Sequence, residues 1–319
     1  MLGRPSAATM QRRLIFLVAV TVTALLFLFS RMEGHILPES KLTAFPTGAD
    51  HKLAASVATA QLPQANLPPS SHIDTSKVAA IMETRSSPNL VPLILHFAGV
   101  LGPTWQIKIF TTATVWQNMT AAASLKGRVA NSQIVFVELP EHDFTVHSGV
   151  SSFLTKPWFW EQLKPAKKVF MFQTDSIICS NSPRTVDDFL EYDMIGAPVV
   201  KHLGSGFNGG LGIRSVPLIL DILKTEDWAT DRADNGEKYR EVANIDYEDQ
   251  WFYAKMLERK GTKFPSQEVA SRFAVETIWE EEPLGFHQPL VYMQHMEEKI
   301  SEWCPEYRLA TQETFKSHG

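Results

Sequence analysis

The sequence predicts an α/β fold, a mainly parallel sheet flanked by helices, standing behind a membrane-spanning helix and a stem. Three features predict it. An uncharged apolar run lies near the amino terminus, a proline-rich stretch without hydrophobic period follows, and strand-like and helix-like patterns alternate over the rest of the chain.

Composition sets the outer limits. Of 319 residues, 44 % are apolar and 20 % charged, which suits a globular domain with a real core. The net charge of -5, with no clustered Lys/Arg run, argues against nucleic acid as a partner. Two cysteines, Cys179 and Cys304, exclude a disulfide scaffold and match no zinc-site spacing. In an oxidising compartment each is the other's sole partner, and pairing depends on how the fold places them.

The first element is the run Leu14–Ser30, which carries no charge. As a helix it covers about 25 Å, the short end of a bilayer span. Arg4, Arg12 and Arg13 precede it, whereas Arg31 and Glu33 nearly cancel beyond it, so the positive-inside bias directs the later chain across the membrane. A cleaved signal peptide is the alternative. Against it, the run is long and ends Leu28-Phe29-Ser30-Arg31, which lacks the small residues of a cleavage site. From about Met32 to Thr75, Pro38, Pro46, Pro63, Pro68 and Pro69 stand among Ala, Ser, Thr and Gln, the composition of an extended stem. The expected organisation is a cytoplasmic tail (1–13), an anchor (14–30), a disordered stem (31–75), one domain (76–305) and a tail (306–319). Asn118-Met119-Thr120 is an N-glycosylation triplet, meaningful if the domain is lumenal.

Within the domain, Val78–Met82 is a short apolar run and Asn89–Leu101 is helix-like. Trp105–Phe110 and Ile134–Leu139 read as strands. Val150–Leu163 reads as an aromatic-rich helix that Pro157 must bend or divide. Lys168–Phe172 is apolar on both faces, as in the middle of a parallel sheet. No Gly-x-Gly-x-x-Gly follows the first strand, where Glu83–Pro88 stands instead, and the P-loop and Gly-x-Ser-x-Gly patterns are absent. Dinucleotide oxidoreductase, kinase-like and α/β-hydrolase readings fall with them.

Four polar clusters are candidates for chemistry. Gln173-Thr174-Asp175 ends the buried strand, where α/β sheets bind ligands, and strand alternation sets Gln173 and Asp175 on one side with Thr174 opposite. A turn cap is the plainer explanation. Asn208-Gly209-Gly210 sits in a glycine-rich stretch that accommodates positive φ and admits close backbone approach, although a simple hairpin turn has the same signature. Glu248 and Asp249 open a helix whose Trp251, Phe252, Met256 and Leu257 read as core; carboxylates in a first turn commonly serve the helix dipole alone. His287 stands in a rigid loop, Pro283–Pro289, and a lone histidine is most often an ordinary hydrogen-bonded residue.

Taken together these stretches resemble an uncharacterised family of membrane-anchored, GT-A glycosyltransferase-like domains. The matching residues are Phe172–Ser176, Phe189–Pro198, Asn208–Leu211, Glu248-Asp249 and Gly285–His287. The resemblance implies a GT-A-like, Rossmann-like sheet, a nucleotide-sugar donor, and a glycan, protein or lipid acceptor. It implies an inverting transfer in a Golgi or other secretory-pathway membrane, with the domain in the lumen. Asp175 and His287 would hold Mn²⁺ or Mg²⁺ against the donor diphosphate. Gln173 replaces the family's first carboxylate, and an amide oxygen brings no charge, so the expected affinity for the cation is lower. Gln173, Thr174, Asn208, Gly209 and Gly210 would bind substrate. Glu248 or Asp249, with Asp249 favoured, would be the general base. A non-catalytic GT-A-like module binding glycans or partner proteins is the competing function, and Gln173 is the feature that favours it. A glycoside hydrolase is weaker, since adjacent helix residues diverge by roughly 100° and cannot flank one bond.

Overall fold

The structure, a computed structural model, describes residues 73–234, 237–239 and 242–310. The expected cytoplasmic tail, the anchor at 14–30 and nearly all of the stem lie outside them, as do residues 311–319. No helix among the described residues is long and apolar enough to cross a membrane.

The chain runs β1 (Lys77–Met82), α1 (Leu90–Leu101), β2 (Ile107–Thr111), α2 (Ala113–Thr120), α3 (Ala123–Ala130), β3 (Ile134–Glu138), α4 (His147–Leu154), α5 (Pro157–Glu161), β4 (Lys168–Phe172) and β5 (Ser176–Ile178). It continues with β6 (Met194–Pro198), β7 (Phe207–Ser215), α6 (Val216–Ile222), α7 (Trp228–Ala233), α8 (Glu248–Leu257), α9 (Gln267–Phe273), β8 (Ala274–Val275), β9 (Gly285–His287) and α10 (Glu297–Trp303). A closing 3-10 turn, Pro305–Leu309, buries Tyr307 and leads to buried Ala310, so the folded part passes the expected edge at 305.

The main sheet has the order β3-β2-β1-β4-β7-β6. β1, β2, β3 and β4 are mutually parallel, while β7 lies antiparallel to both β4 and β6. The result is the mixed, mainly parallel α/β sheet that the alternating pattern predicts. The strand order runs outward from β1 through β2 to β3 and then reverses to β4. The carboxyl ends of β1 and β4 therefore border the switch point where open α/β sheets bind ligands. β4 is central, and its Val169, Phe170 and Phe172 are buried. Phe172 stacks on Phe97 of α1 at 3.9 Å, while Leu90, Leu93, Ile94, Phe97 and Ala98 form the helical stripe that faces the sheet.

Pro157 divides the aromatic helix, as expected. Lys156 is extended (φ -113°, ψ 151°), and Pro157 restarts the helix at its first turn, where no amide hydrogen is needed.

Three local expectations are corrected. Asn208-Gly209-Gly210 is not a turn but part of the nine-residue strand β7; the positive φ values fall earlier, at Gly204 (136°) and Gly206 (84°). Pro283–Pro289 is not a loop throughout, because Gly285–His287 is β9, the middle strand of a second sheet ordered β5-β9-β8. Leu257 is 48 % exposed, whereas Trp251, Phe252 and Met256 are fully buried. The buried stripe of α8 ends at Met256, and one further residue rotates about 100° away from it.

Candidate functional site

β1 delivers Glu83 and β4 delivers Gln173, Thr174 and Asp175 to the switch point. A narrow cavity there is lined by Glu83, Arg85, His147, Gln173, Asp175 and Gln288, among others. Glu83 is buried and fixed from two sides. Arg85 donates through Nε (2.9 Å) and Nη2 (3.0 Å), and Thr174 Oγ1 donates at 3.2 Å. Gln173 and Asp175 share this cavity, but β4 ends at Phe172, so a turn and not strand alternation puts them there.

A wider cavity of about 330 Å³ adjoins it and shares His147, Val150, Gln173 and Gln288. Asn208, Gly209 and Gly210 from β7, Glu248 and Asp249 from α8, and His287 from β9 all line it. The four clusters singled out by sequence thus surround one crevice at the carboxyl edge of the sheet, with Thr174 behind it on Glu83. A larger depression of about 830 Å³ lies beside it around Trp228 and Arg232. Its Arg232 is already paired with Asp246 at 2.7 Å, and none of its lining side chains is a buried polar group without a partner.

Asp249 is buried at the first turn of α8. Its Oδ2 accepts from Gly209 N–H and its Oδ1 from Gln250 N–H, each at 2.7 Å. Burial, and then the neighbouring Glu248 charge, raise its carboxyl from 3.8 to about 7, against the pull of Arg214 and the two amides. Glu248 is half-buried, accepts from Ser151 Oγ and Arg214 Nη2 at 3.3 Å each, and so faces the same cavity at the mouth. Arg214, on β7, is 1 % exposed and lies over the rings of Trp160 and Phe252 at 5.9 and 6.0 Å.

His287 is held between two carboxylates. Glu276 Oε1 meets Nδ1 at 3.0 Å and also accepts from Asn208 Nδ2 at 3.2 Å. Asp175 Oδ1 stands 3.4 Å from Nε2, but neither of those two atoms has a hydrogen-bond partner. Burial alone would lower the imidazolium; the charges of Asp175 and Glu276 outweigh it and raise His287 to about 10. Burial would raise Asp175, yet His287 and the Gln288 amide hold it below the usual carboxylate range. Gln288, at φ 47°, grips Asp175 twice, through N–H to its carbonyl (2.8 Å) and through Nε2 to Oδ2 (3.0 Å). Among the described residues no group of three or more His, Cys, Asp or Glu side chains is arranged to hold a metal.

The glycines of β7 serve close approach. A Cβ on Gly210 would lie 2.2 Å from His287 Nε2, and one on Gly209 2.1 Å from Arg214 Nη2. Glu83, Arg214, Glu276 and Gln288 escaped sequence reasoning, because each stands in an unremarkable local context. For Arg214 the one available signal was a cation directly after the apolar Leu211-Gly212-Ile213.

No curated protein matches the sequence. Similar solved structures include the apo form of the glycosyltransferase GlyE of Streptococcus pneumoniae TIGR4, at 11 % identity and TM-score 0.43, covering 66 % of this chain and 54 % of that one. A second GlyE structure gives 12 %, 0.38, 67 % and 54 %. The mannosyltransferase PcManGT of Pyrobaculum calidifontis, in complex with GDP-Man and Mn²⁺, gives 9 %, 0.34, 46 % and 46 %. The chain spans about half the length of these structures. Over residues 133–287, from the residue before β3 to the candidate histidine itself, it is similar to the family described as "Protein of unknown function (DUF5672)".

Proposed function

We propose that the chain is a glycosyltransferase that moves a sugar from a nucleotide-sugar donor to an acceptor hydroxyl, with inversion at the anomeric carbon. The observation that carries this reading is the pair of adjoining cavities. One opens at the β1/β4 switch point beside Asp175, the other holds a buried carboxylate with an elevated proton affinity, and Gln173 and Gln288 line both.

In the proposed reaction the acceptor oxygen bonds to the anomeric carbon as the bond from that carbon to the diphosphate oxygen breaks. The electron pair of the broken bond leaves with the nucleoside diphosphate, and the hydroxyl proton passes to Asp249. A base with a proton affinity near neutrality is matched to that task. Gly209 N–H and Gln250 N–H hold its oxygens in place, and Arg214 holds Glu248 beside it.

A divalent cation fits the residues present. Asp175 Oδ1 and His287 Nε2 are buried, 3.4 Å apart and without a hydrogen bond, so a cation that displaced the Nε2 proton would meet two ligands there, and Glu276 on Nδ1 is the carboxylate that commonly orients a ligating histidine. Two protein ligands suffice for Mg²⁺ or Mn²⁺ where substrate phosphates supply others. Bound there, the cation would neutralise charge developing on the leaving diphosphate.

The membrane-anchored, lumenal placement belongs to the same proposal. Cys179 and Cys304 form a disulfide, which suits an oxidising compartment, and Asn118 is exposed on α2. A binding module without turnover is the second reading, favoured by Gln173. Incubating the full chain with a panel of nucleotide sugars, with and without Mn²⁺, separates the two. Release of nucleoside diphosphate is expected; glycan binding with no donor interaction would leave the module.

A further inference from the structure

The wider cavity has a chemical character of its own. Six large apolar or aromatic side chains are exposed among the described residues, and three of them, Leu203 (37 %), Tyr247 (43 %) and Tyr292 (46 %), line this one cavity. An apolar rim concentrated around a single opening marks a ligand site more than chance exposure does. The rest of the lining is mixed, with Val150, Val199 and Val291 among the polar groups, and it includes no lysine or arginine.

Hydrogen-bond capacity narrows the ligand. Three amide groups of the lining each spend a donor inside the protein: Asn208 Nδ2 on Glu276, Gln288 Nε2 on Asp175, and Gln250 Nε2 on the Leu203 carbonyl. Its nearest cations, Arg214 and His287, are flanked by carboxylates. Acceptor capacity is left on Glu248 and Asp249, since an ionised carboxylate has more lone-pair sites than these hold partners for. A ligand suited to this cavity brings donors and no negative charge, and has flat apolar faces for two tyrosine rings. Sulfate, phosphate and carboxylate groups bring acceptors only. A lipid chain would leave the polar lining unpaired.

We infer that the acceptor is an uncharged glycan terminus, its ring lying against Tyr247 and Tyr292 and its hydroxyls donating to the acidic floor. The inference rests on the transferase reading for the word acceptor, but the binding it predicts is measurable without turnover. The full chain, purified in detergent without nucleotide, is passed over a printed array of neutral, sialylated and sulfated glycans with basic peptides alongside. Retention on neutral glycans is expected. Y247L and Y292L, which keep apolar bulk without a ring, should each weaken it at least tenfold, whereas Y247F and Y292F should retain it; thermal melts identify any variant that fails to fold. Retention on acidic glycans or basic peptides in preference, no retention at all, or leucine variants that bind like the parent chain would overturn the inference. Nucleotide-sugar turnover is assayed in parallel to keep the two failures apart. Turnover without neutral-glycan retention removes this inference and leaves the transferase, while retention without turnover keeps the binding site and removes the catalysis.

Discussion

At the scale of single residues, the elevated proton affinity of Asp249 has two consequences with opposite signs. Activity needs the carboxylate, so the rate should climb with pH through about 7 and level off above it. Stability runs the other way. A carboxyl whose folded value lies above its ordinary 3.8 favours the fold fully below 3.8, and that contribution is lost as pH rises through about 7. Melting temperatures of the parent chain and D249N, compared between pH 4 and 8, should therefore show the variant gaining relative stability as pH rises. A constant difference would mean that Asp249 titrates normally. Glu276 gives a second residue-level prediction. E276Q keeps the shape but not the charge behind His287, and Mn²⁺ affinity measured by calorimetry should fall about 10–100-fold. Asp249 was legible in the sequence because an acidic pair opening an aromatic helix joined other motifs. Glu276 was not, because its partners Asn208 and His287 are 68 and 11 positions away and only the fold brings them to it.

Among the elements, β7 shows what sequence patterning can and cannot reach. Asn-Gly-Gly signals a turn when read locally, yet the segment lies inside β7, just past the last pair with β4 at Leu211 and in the irregularity between the Gly212 and Phe207 pairs with β6. The glycines are demanded by neighbours and not by backbone conformation: His287 and Arg214 fill the space where side chains would stand. G210A should therefore act as an overpacking change, lowering stability by about 1–3 kcal/mol in denaturant unfolding, with the damage centred on His287. The central strand β4, the helix α1 and the division at Pro157 were readable, since each rests on local chemistry: apolar runs, a 3.6-residue stripe and a missing amide hydrogen. β9 was unreadable as a strand because three residues carry no period; pairing with β5 and β8 makes it one. Helix α8 is anchored away from the cavity by Lys255, buried and bonded to Glu226, Asp231 and Tyr239 at 2.8, 2.7 and 2.6 Å. That cluster explains a buried cation in structural terms.

For the whole molecule, the strand order matters most. Reversal between β1 and β4 opens the crevice, the antiparallel β7 brings glycines and Arg214 to its far side, and the small sheet carries His287 in beneath them. The Cys179–Cys304 disulfide ties the end of β5 to the carboxyl-terminal turn across 125 positions. Closing so long a loop stabilises by roughly 2–5 kcal/mol, so reduction should lower the melting temperature without altering a site that lies elsewhere. If the domain is lumenal, as proposed, Asn118 should carry a glycan, and the mobility shift on enzymatic deglycosylation should vanish in N118Q. An unshifted parent chain would contradict that placement.

The central claim is that one crevice binds a nucleotide-sugar donor and that Asp249 takes the acceptor's proton. Turnover and donor affinity measured side by side in the parent chain and D249N test it most directly. The account predicts that D249N binds the donor as before and transfers at least about 10²-fold more slowly. Transfer at the parental rate by a folded D249N would contradict it.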